Sequence, residues 1–246
     1  MLQQNPIQTQ GRYQVRQAIS PQDIADACAL RQRGFGLAQP DRDKFDDTSL
    51  HMLVEDTRTG ELRCCFRLRV LTVPDDCRDS YCAQYYDFSA LFDAGAPLVE
   101  LGRFCVEPGI RDADILRIAW GALTAFVDGV GAHMLIGCTS FAGTDPDRYG
   151  DVFSVLATRH LAPRSWQLAT TTPSSIDYVD RYARAQDEEQ ALAQMPPLLR
   201  SYLAMGGRVG DHAVIDRHMD TLHVFTGLEI TAIPESRKRL LRALAR

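Results

Sequence analysis

The stretch E-L-G-R-F-C-V, residues 100–106, sets a carboxylate and a guanidinium three positions apart inside an otherwise apolar strand. A second stretch, G-C-T-S-F-A-G-T-D-P at 137–146, ends another apolar strand in a small, polar, glycine-bearing turn. Charges in a buried strand cost free energy unless they are paired or used, so Glu100 and Arg103 mark the centre of a site. Strict alternation would send their side chains to opposite faces. Gly102 lies between them, where a bulge costs least, and a bulge adds one residue to the count. The spacing therefore predicts a bulge that brings both charges to one side.

Working outward, the residues from Asp112 to about Gly131 predict a long helix with Ile115, Ala119, Leu123, Phe126 and Val130 as its buried stripe and Gly131 as its stop. A strand follows at 133–138. Upstream, Ser20 as N-cap and Pro21 in the first turn open a helix that runs to Phe35. The polar loop A-Q-P-D-R-D-K-F-D-D comes next, with four aspartates. Strands at 50–56 and 61–71 are joined by T-R-T-G, a hairpin signal. In the second of them Leu62, Cys64, Phe66, Leu68 and Val70 alternate with Arg63, Cys65, Arg67 and Arg69. The arginine face is either solvent or the wall of an anionic pocket, and periodicity alone leaves both open. Downstream, Pro196 and Pro197 open a helix that Gly206 and Gly207 stop, and short strands follow at 212–216 and 222–227. The fold class expected is mixed α/β with a twisted central sheet flanked by helices. Residues 1–12 are expected to be a flexible N-terminus, 13–235 a single domain, and 236–246 a basic amphipathic helix.

A chain of 246 residues, 45% hydrophobic and 24% charged, supports one substantial core and excludes wholesale disorder. No run approaches the ~18–20 apolar residues of a membrane span, and the first residues lack the pattern of a signal peptide. Seven cysteines without a C-x-x-C pair fit reduced thiols in a cytoplasmic protein. The net charge of −5 argues against nucleic acid as a partner. The tail runs against this balance: Arg237, Lys238, Arg239, Arg242 and Arg246 interleave with Leu240, Leu241 and Leu244. Such a helix suits either plain solvation or contact with an anionic membrane surface or an acidic protein.

Several chemistries are absent from the sequence, with no nucleophile elbow, P-loop, dinucleotide fingerprint or H-E-x-x-H. His212, His218 and His223, with Asp211, Asp216 and Asp220, lack the usual ligand spacing, and no metal is expected. Cys105 reads as a small buried hydrophobe rather than a nucleophile. What remains is acid–base and electrostatic work centred on Glu100. Attack of an amine on a thioester fits, because the amine must first lose a proton and a buried carboxylate can take it. A backbone N–H freed at the bulge would hold the oxyanion. A buried ion pair that only fixes strand register is the plainer reading of Glu100 and Arg103.

Taken together, E-L-G-R-F-C-V, E-P-G-I-R, the long helix and G-C-T-S-F-A-G-T-D-P resemble the ornithine–acyl carrier protein N-acyltransferases of ornithine-lipid synthesis. The later P-P-L-L-R-S-Y-L-A-M-G-G-R-V-G and A-V-I-D resemble that family's C-terminal part, so the resemblance runs from about residue 30 to about 227. It implies a GNAT-like acyltransferase fold with a C-terminal extension, similar to the autoinducer synthases. It further implies transfer of a 3-hydroxyacyl chain from acyl carrier protein to the α-amine of L-ornithine, giving a lyso-ornithine lipid. By this resemblance Glu100 is the base and Arg103 orients the site. Arg31, Phe35, Asp43, Asp46, Arg67, Arg69 and Ser140 are expected to bind the amino acid, Arg67 or Arg69 meeting its carboxylate and the loop aspartates its cationic side chain. Phe104, Cys105, Val106 and Arg111 are expected to meet the pantetheine arm of the carrier. No separate cofactor is implied. R-D-A-D-I-L, before the long helix, lacks the glycines that cradle a coenzyme A pyrophosphate, which suits a carrier-bound donor. Phe104 stands where that family would place a small polar residue and is what autoinducer synthases favour. An acyl-homoserine-lactone synthase is therefore the alternative activity, and a non-catalytic carrier- or lipid-binding protein the alternative of another class. Cytoplasmic work with peripheral contact at the inner membrane is the expected location.

Overall fold

The computed structural model describes residues 8–182 and 187–244. The first described residues form a hairpin of β1 (Gln8–Gln10) and β2 (Tyr13–Gln17). Of the N-terminal segment expected over 1–12, residues 8–12 lie in this hairpin and 1–7 lie outside the described residues. Helix α1 (Pro21–Phe35) begins as its sequence dictates. Ser20 Oγ accepts from the N–H of Asp23 at 3.1 Å, and Asp23 Oδ2 accepts from the N–H of Ser20 at 3.0 Å, a reciprocal cap that satisfies two orphan donors. A short helical turn, Lys44–Asp47, leads into β3 (Leu50–Asp56) and β4 (Leu62–Leu71). The segment 72–97 carries three further short turns and β5 (Tyr86–Asp87). Then come β6 (Leu98–Val106), α2 (Ala113–Val130) and β7 (Met134–Ala142). The chain continues through α3 (Gly150–Arg159), β8 (Ala169–Thr170), β9 (Ser175–Asp177), α4 (Tyr178–Arg181), α5 (Glu188–Gln194) and α6 (Pro197–Ala204). It closes with β10 (Arg208–Asp216), β11 (Thr221–Glu229) and α7 (Glu235–Leu244).

The chain packs as two compact units. Unit 1 takes the described residues up to Val70, Val99–Ala132 and those from Glu235 onward; unit 2 takes Leu71–Leu98 and His133–Pro234.

In unit 1 the strands lie in the order β1-β2-β3-β4-β6. Ala27 and Leu30 of α1 pack on Leu53, Cys65 and Cys105, with Phe35 at the margin. Gly34 allows the closest approach: a Cβ there would stand 2.2 Å from the Cys105 sulfur. Helix α2 is buried more widely than its predicted stripe. Ile118, Trp120, Ala122 and Val127 are covered as well as Ile115, Ala119 and Leu123, whereas Phe126 and Val130 are only half-buried. The reason is at Gly121, where a Cβ would meet the Gln8 side chain at 2.6 Å and the Leu244 carbonyl at 3.0 Å. β1 and α7 both press on that helix. The basic tail expected over 236–246 is α7; Arg242 pairs with Asp128 of α2 at 2.8 Å, and Arg246 lies outside the described residues.

In unit 2 β7, β11, β10 and β9 form successive antiparallel pairs. The period of two in β11 divides its side chains between two clusters. Leu222 and Val224 pack with Phe153, Leu156, Ala191 and Leu199 of the helices. Phe225 packs on the other side with Tyr86, Phe88, Leu91 and Trp166. Segment 72–97 therefore covers one sheet face and α3, α5 and α6 the other.

Candidate active site

The site in unit 1 is built where α1, the loop after it, β4 and β6 converge. Arg31 is 1% exposed. Its Nη1 and Nη2 each donate to Asp46 at 2.9 Å, and its Nε lies 3.0 Å from Asp41 Oδ2. Arg67 Nη1 donates to the same Asp46 Oδ1 at 2.9 Å and to Asp43 Oδ1 at 2.5 Å. Arg103 donates from Nε to Asp41 Oδ2 at 2.8 Å and from Nη2 to Asp43 Oδ2 at 3.1 Å. Three guanidiniums and three carboxylates thus form one interlocked network, and every aspartate in it bridges two arginines. The 3₁₀ turn has its own reciprocal cap, in which the N–H of Asp43 donates to Asp46 Oδ2 at 2.9 Å.

Burial by itself would push the Asp46 carboxyl up, yet the hydrogen bonds from Arg31 and the charge of Arg67 outweigh it and hold the group well below the usual carboxylate range. Asp43 follows the same pattern, burial opposing and Arg67 prevailing. His51 sits under the network with Nε2 3.0 Å from the Asp46 carbonyl, and burial lowers its imidazole below the ordinary value.

Arg103 has a φ of +51°, a left-handed conformation that an L-residue adopts at a cost. The backbone of β6 is therefore irregular next to Gly102, where the sequence predicts the bulge. A Cβ on Gly102 would meet Arg67 Nε at 3.8 Å, so the strand passes close beneath the network. Glu100, on the same strand, is buried.

The network unites Arg31, Asp43, Asp46, Arg67 and Arg103, five of the residues singled out from sequence. It also contains Asp41, which sequence reasoning passed over although the four-aspartate loop was the signal. On the arginine face of β4, Arg67 meets the loop aspartates and Arg63 pairs with Glu61, so that face is neither bare solvent nor an open anionic wall. Arg67 and the loop aspartates, expected to meet the acceptor's two charges, are engaged with one another. Arg69 stands apart and donates to the Thr48 carbonyl. Phe35 joins the apolar cluster. Phe104 stacks on Phe66 with centroids 5.5 Å apart. The Cys105 side chain is enclosed against α1, and burial pushes its thiol up to about 12, so any contact with a pantetheine arm would use its backbone. Val106 is half-buried at the end of β6, and Arg111 is exposed before α2. Ser140 is exposed on β7 of unit 2. Among the described residues no group of His, Cys, Asp or Glu is placed to hold a metal ion.

Residues 29–121 match the family model described as an acetyltransferase (GNAT) domain. Over 243 residues the chain is 30% identical to the L-ornithine N(alpha)-acyltransferase of Rhodobacter capsulatus, spanning 92% of this chain and 93% of that protein. It is likewise 30% identical over 243 residues to the L-ornithine N(alpha)-acyltransferase of Brucella abortus, spanning 91% and 86%. Among solved structures, FeeM, an N-acyl amino acid synthase from uncultured soil microbes, superposes with a TM-score of 0.52 at 10% identity, covering 89% of this chain and 92% of that one. The GNAT-like α/β fold expected from the sequence is the fold observed.

Proposed function

The chain belongs to the L-ornithine N(alpha)-acyltransferase family, and we propose from that premise how its own residues carry out the reaction. It acylates ornithine. The donor is an acyl chain, 3-hydroxylated by the resemblance of the motifs, on the pantetheine thiol of acyl carrier protein. The product is a lyso-ornithine lipid, and this is the first step of ornithine-lipid synthesis. The main support is the match to relatives of this activity over nearly their whole length, joined to a buried carboxylate on a strand made irregular by Arg103. Relatives that match over about nine-tenths of the chain favour ornithine over the autoinducer alternative.

The α-ammonium of ornithine must lose a proton before its lone pair can attack the thioester carbon. Glu100 accepts that proton, directly or through a water. The new C–N bond forms and the carbonyl oxygen becomes an oxyanion, held by a backbone N–H that the irregularity at Arg103 releases from strand pairing. Collapse breaks the C–S bond, the departing thiolate takes up the second proton from the nitrogen to leave the neutral amide, and Glu100 returns its own proton to water. Arg103, whose guanidinium is the most exposed of the three (11% against 1% for Arg31 and 4% for Arg67), steers the acceptor's carboxylate. Arg31 and Arg67 hold the loop that carries Asp41, Asp43 and Asp46.

Carrier protein is acidic, and the exposed Arg111, together with Arg237 and Arg239 of α7, offers it local positive charge despite the overall balance. Helix α7, with Leu240 exposed among its basic residues, suits peripheral contact with an anionic inner-membrane surface from the cytoplasmic side.

The test is an acyl-transfer assay with 3-hydroxyacyl carrier protein, offering ornithine, lysine, glycine and S-adenosylmethionine separately. The expected result is N-acylated ornithine, formed with the carrier-bound donor and not with acyl coenzyme A. Turnover with S-adenosylmethionine alone would move the chain to autoinducer synthesis.

A further inference from the structure

One face of the unit 2 sheet carries a polar cluster that none of the chemistry above uses. β11 presents His223 there, directly opposite Ser140 of β7 and Val214 of β10, and cross-strand partners share a face. Segment 72–97 lays three tyrosines against it. The His223 ring lies 4.7 Å from that of Tyr85, 5.7 Å from Tyr86 and 6.5 Å from Tyr81.

The hydrogen bonds fix the tautomer of His223. The Tyr86 hydroxyl donates to the His223 carbonyl at 2.9 Å, and the same oxygen lies 3.2 Å from Nδ1. A phenol has one proton. With that proton on the carbonyl, the Tyr86 oxygen can only accept at Nδ1, so Nδ1 carries the ring proton and Nε2 is a bare lone pair. His223 is 1% exposed, and its Nε2 is buried with no hydrogen-bond partner. Buried acceptors are nearly always satisfied. An orphaned one next to half-buried tyrosines marks the place of a missing donor.

Asp216 completes the cluster. Its Oδ1 accepts the N–H groups of His218 at 3.0 Å and Met219 at 3.1 Å. Its Oδ2 accepts the hydroxyls of Tyr81 at 3.0 Å and Tyr85 at 3.4 Å. The carboxylate is buried, and each of these partners is neutral. The two phenols also bond to one another. The cluster thus offers a buried carboxylate without a cationic partner among these contacts, a bare imidazole nitrogen and aromatic surfaces. A neutral hydroxyl would satisfy Nε2 but leave the carboxylate's charge uncompensated. An alkylammonium supplies three donors and a positive charge, and aromatic rings attract it further.

We infer that unit 2 carries a binding site for an alkylammonium ion that has no carboxylate beside it, such as the terminal ammonium of a diamine or diamino acid, formed by Tyr81, Tyr85, His223 and Asp216 with Ser140 at its edge. The site takes from the proposed function only the choice of ornithine as its first probe. Calorimetric titration of the full chain, without acyl donor, tests it with L-ornithine, putrescine and L-norvaline, the last having ornithine's carbon chain without the terminal ammonium. Ornithine and putrescine are expected to bind and norvaline to bind at least tenfold more weakly. Asp216→Asn should weaken ornithine tenfold or more. Should that variant fail to fold, because Asp216 also secures the hairpin turn, Tyr85→Phe carries the same test with an expected loss of about threefold or more. Equal binding of norvaline and ornithine, unchanged affinity in the folded variant, or no binding of either ammonium ligand would overturn the site. Acyl transfer to ornithine, measured separately, stands or falls independently of these outcomes.

Discussion

Arg31 and Asp46 face each other in a two-pronged pair, both bonds 2.9 Å long, and Arg67 shares one of the same carboxylate oxygens. Neither partner of the first pair has solvent to fall back on, since their side chains are 1% and 0% exposed. Removing one side of such a pair strands a buried charge, which costs about 3–5 kcal/mol. Asp46→Asn, nearly the same shape, should therefore lower the melting temperature by roughly 10 °C at the usual ~2–4 °C per kcal/mol for a chain of this size. A thermal melt that shifts by less than about 2 °C would show that the network carries little of the fold's stability.

The same network sets the response to acid. Asp46, Asp43 and Asp23 all have carboxyls below their unfolded values, in each case through arginine partners that outweigh burial or act with backbone donors. A depressed carboxyl contributes stability that is present above the unfolded value, about 4, and is lost as pH falls through the folded value. His51 is also depressed, by burial, so its contribution begins to fade at a higher pH, below about 6.5. The midpoint of urea unfolding should thus fall in two stages, first as pH drops below about 6.5 and then below about 4. His160 is depressed by burial as well, so His51→Gln should shrink the first stage and leave the second, and His51→Gln with His160→Gln should remove the first.

Glu100→Gln keeps the shape of the buried side chain and removes its basicity. Loss of a positioned general base lowers turnover by about 10²–10⁴-fold. Transfer to ornithine should drop by that amount while carrier binding and the melting temperature stay near those of the native chain. A variant that unfolds instead would identify Glu100 as part of the architecture.

Gly34 and Cys105 form a steric pair that can be tested by relief. A methyl group at Gly34 meets the Cys105 sulfur at 2.2 Å, while the Cys105 Cβ is 4.0 Å away. Gly34→Ala should destabilise by about 1–3 kcal/mol. Adding Cys105→Ala removes the sulfur and should recover most of that loss, and denaturant titration of the two variants measures the recovery. No recovery would mean that the helix and strand do not approach at this point.

Much of this architecture is legible in the chain. The cap at Ser20 and the stop after Phe35 bound α1 because short-range chemistry decides helix ends. β3 is also bounded by its pattern alone. The position of the backbone irregularity at Gly102–Arg103 followed from the conflict between alternation and two charges. The partners of Arg67 were not legible. Its alternation in β4 gives the face, but whether that face meets water, a ligand or Asp43 depends on a loop closing over it, which no local period encodes. α2 shows the same limit: its 3.6-residue period marks one apolar stripe, and the covering of Gly121 from behind comes from segments more than a hundred residues away in sequence. His223 was visible only as one of three scattered histidines. Its tautomer and its orphaned nitrogen arise from Tyr86, whose place depends on the folding of segment 72–97.

The meeting of Gln8 and Leu244 over Gly121 has a consequence for the order in which the protein takes shape. Unit 1 draws on the earliest described strand and the last described helix, whereas unit 2 is made wholly from segments between them. During synthesis every strand and helix of unit 2 emerges before α7 does. The surface of α2 around Trp120 and Gly121 must therefore wait for its final cover. Until Arg242 reaches Asp128, that helix presents an unfinished apolar flank to whatever it meets first.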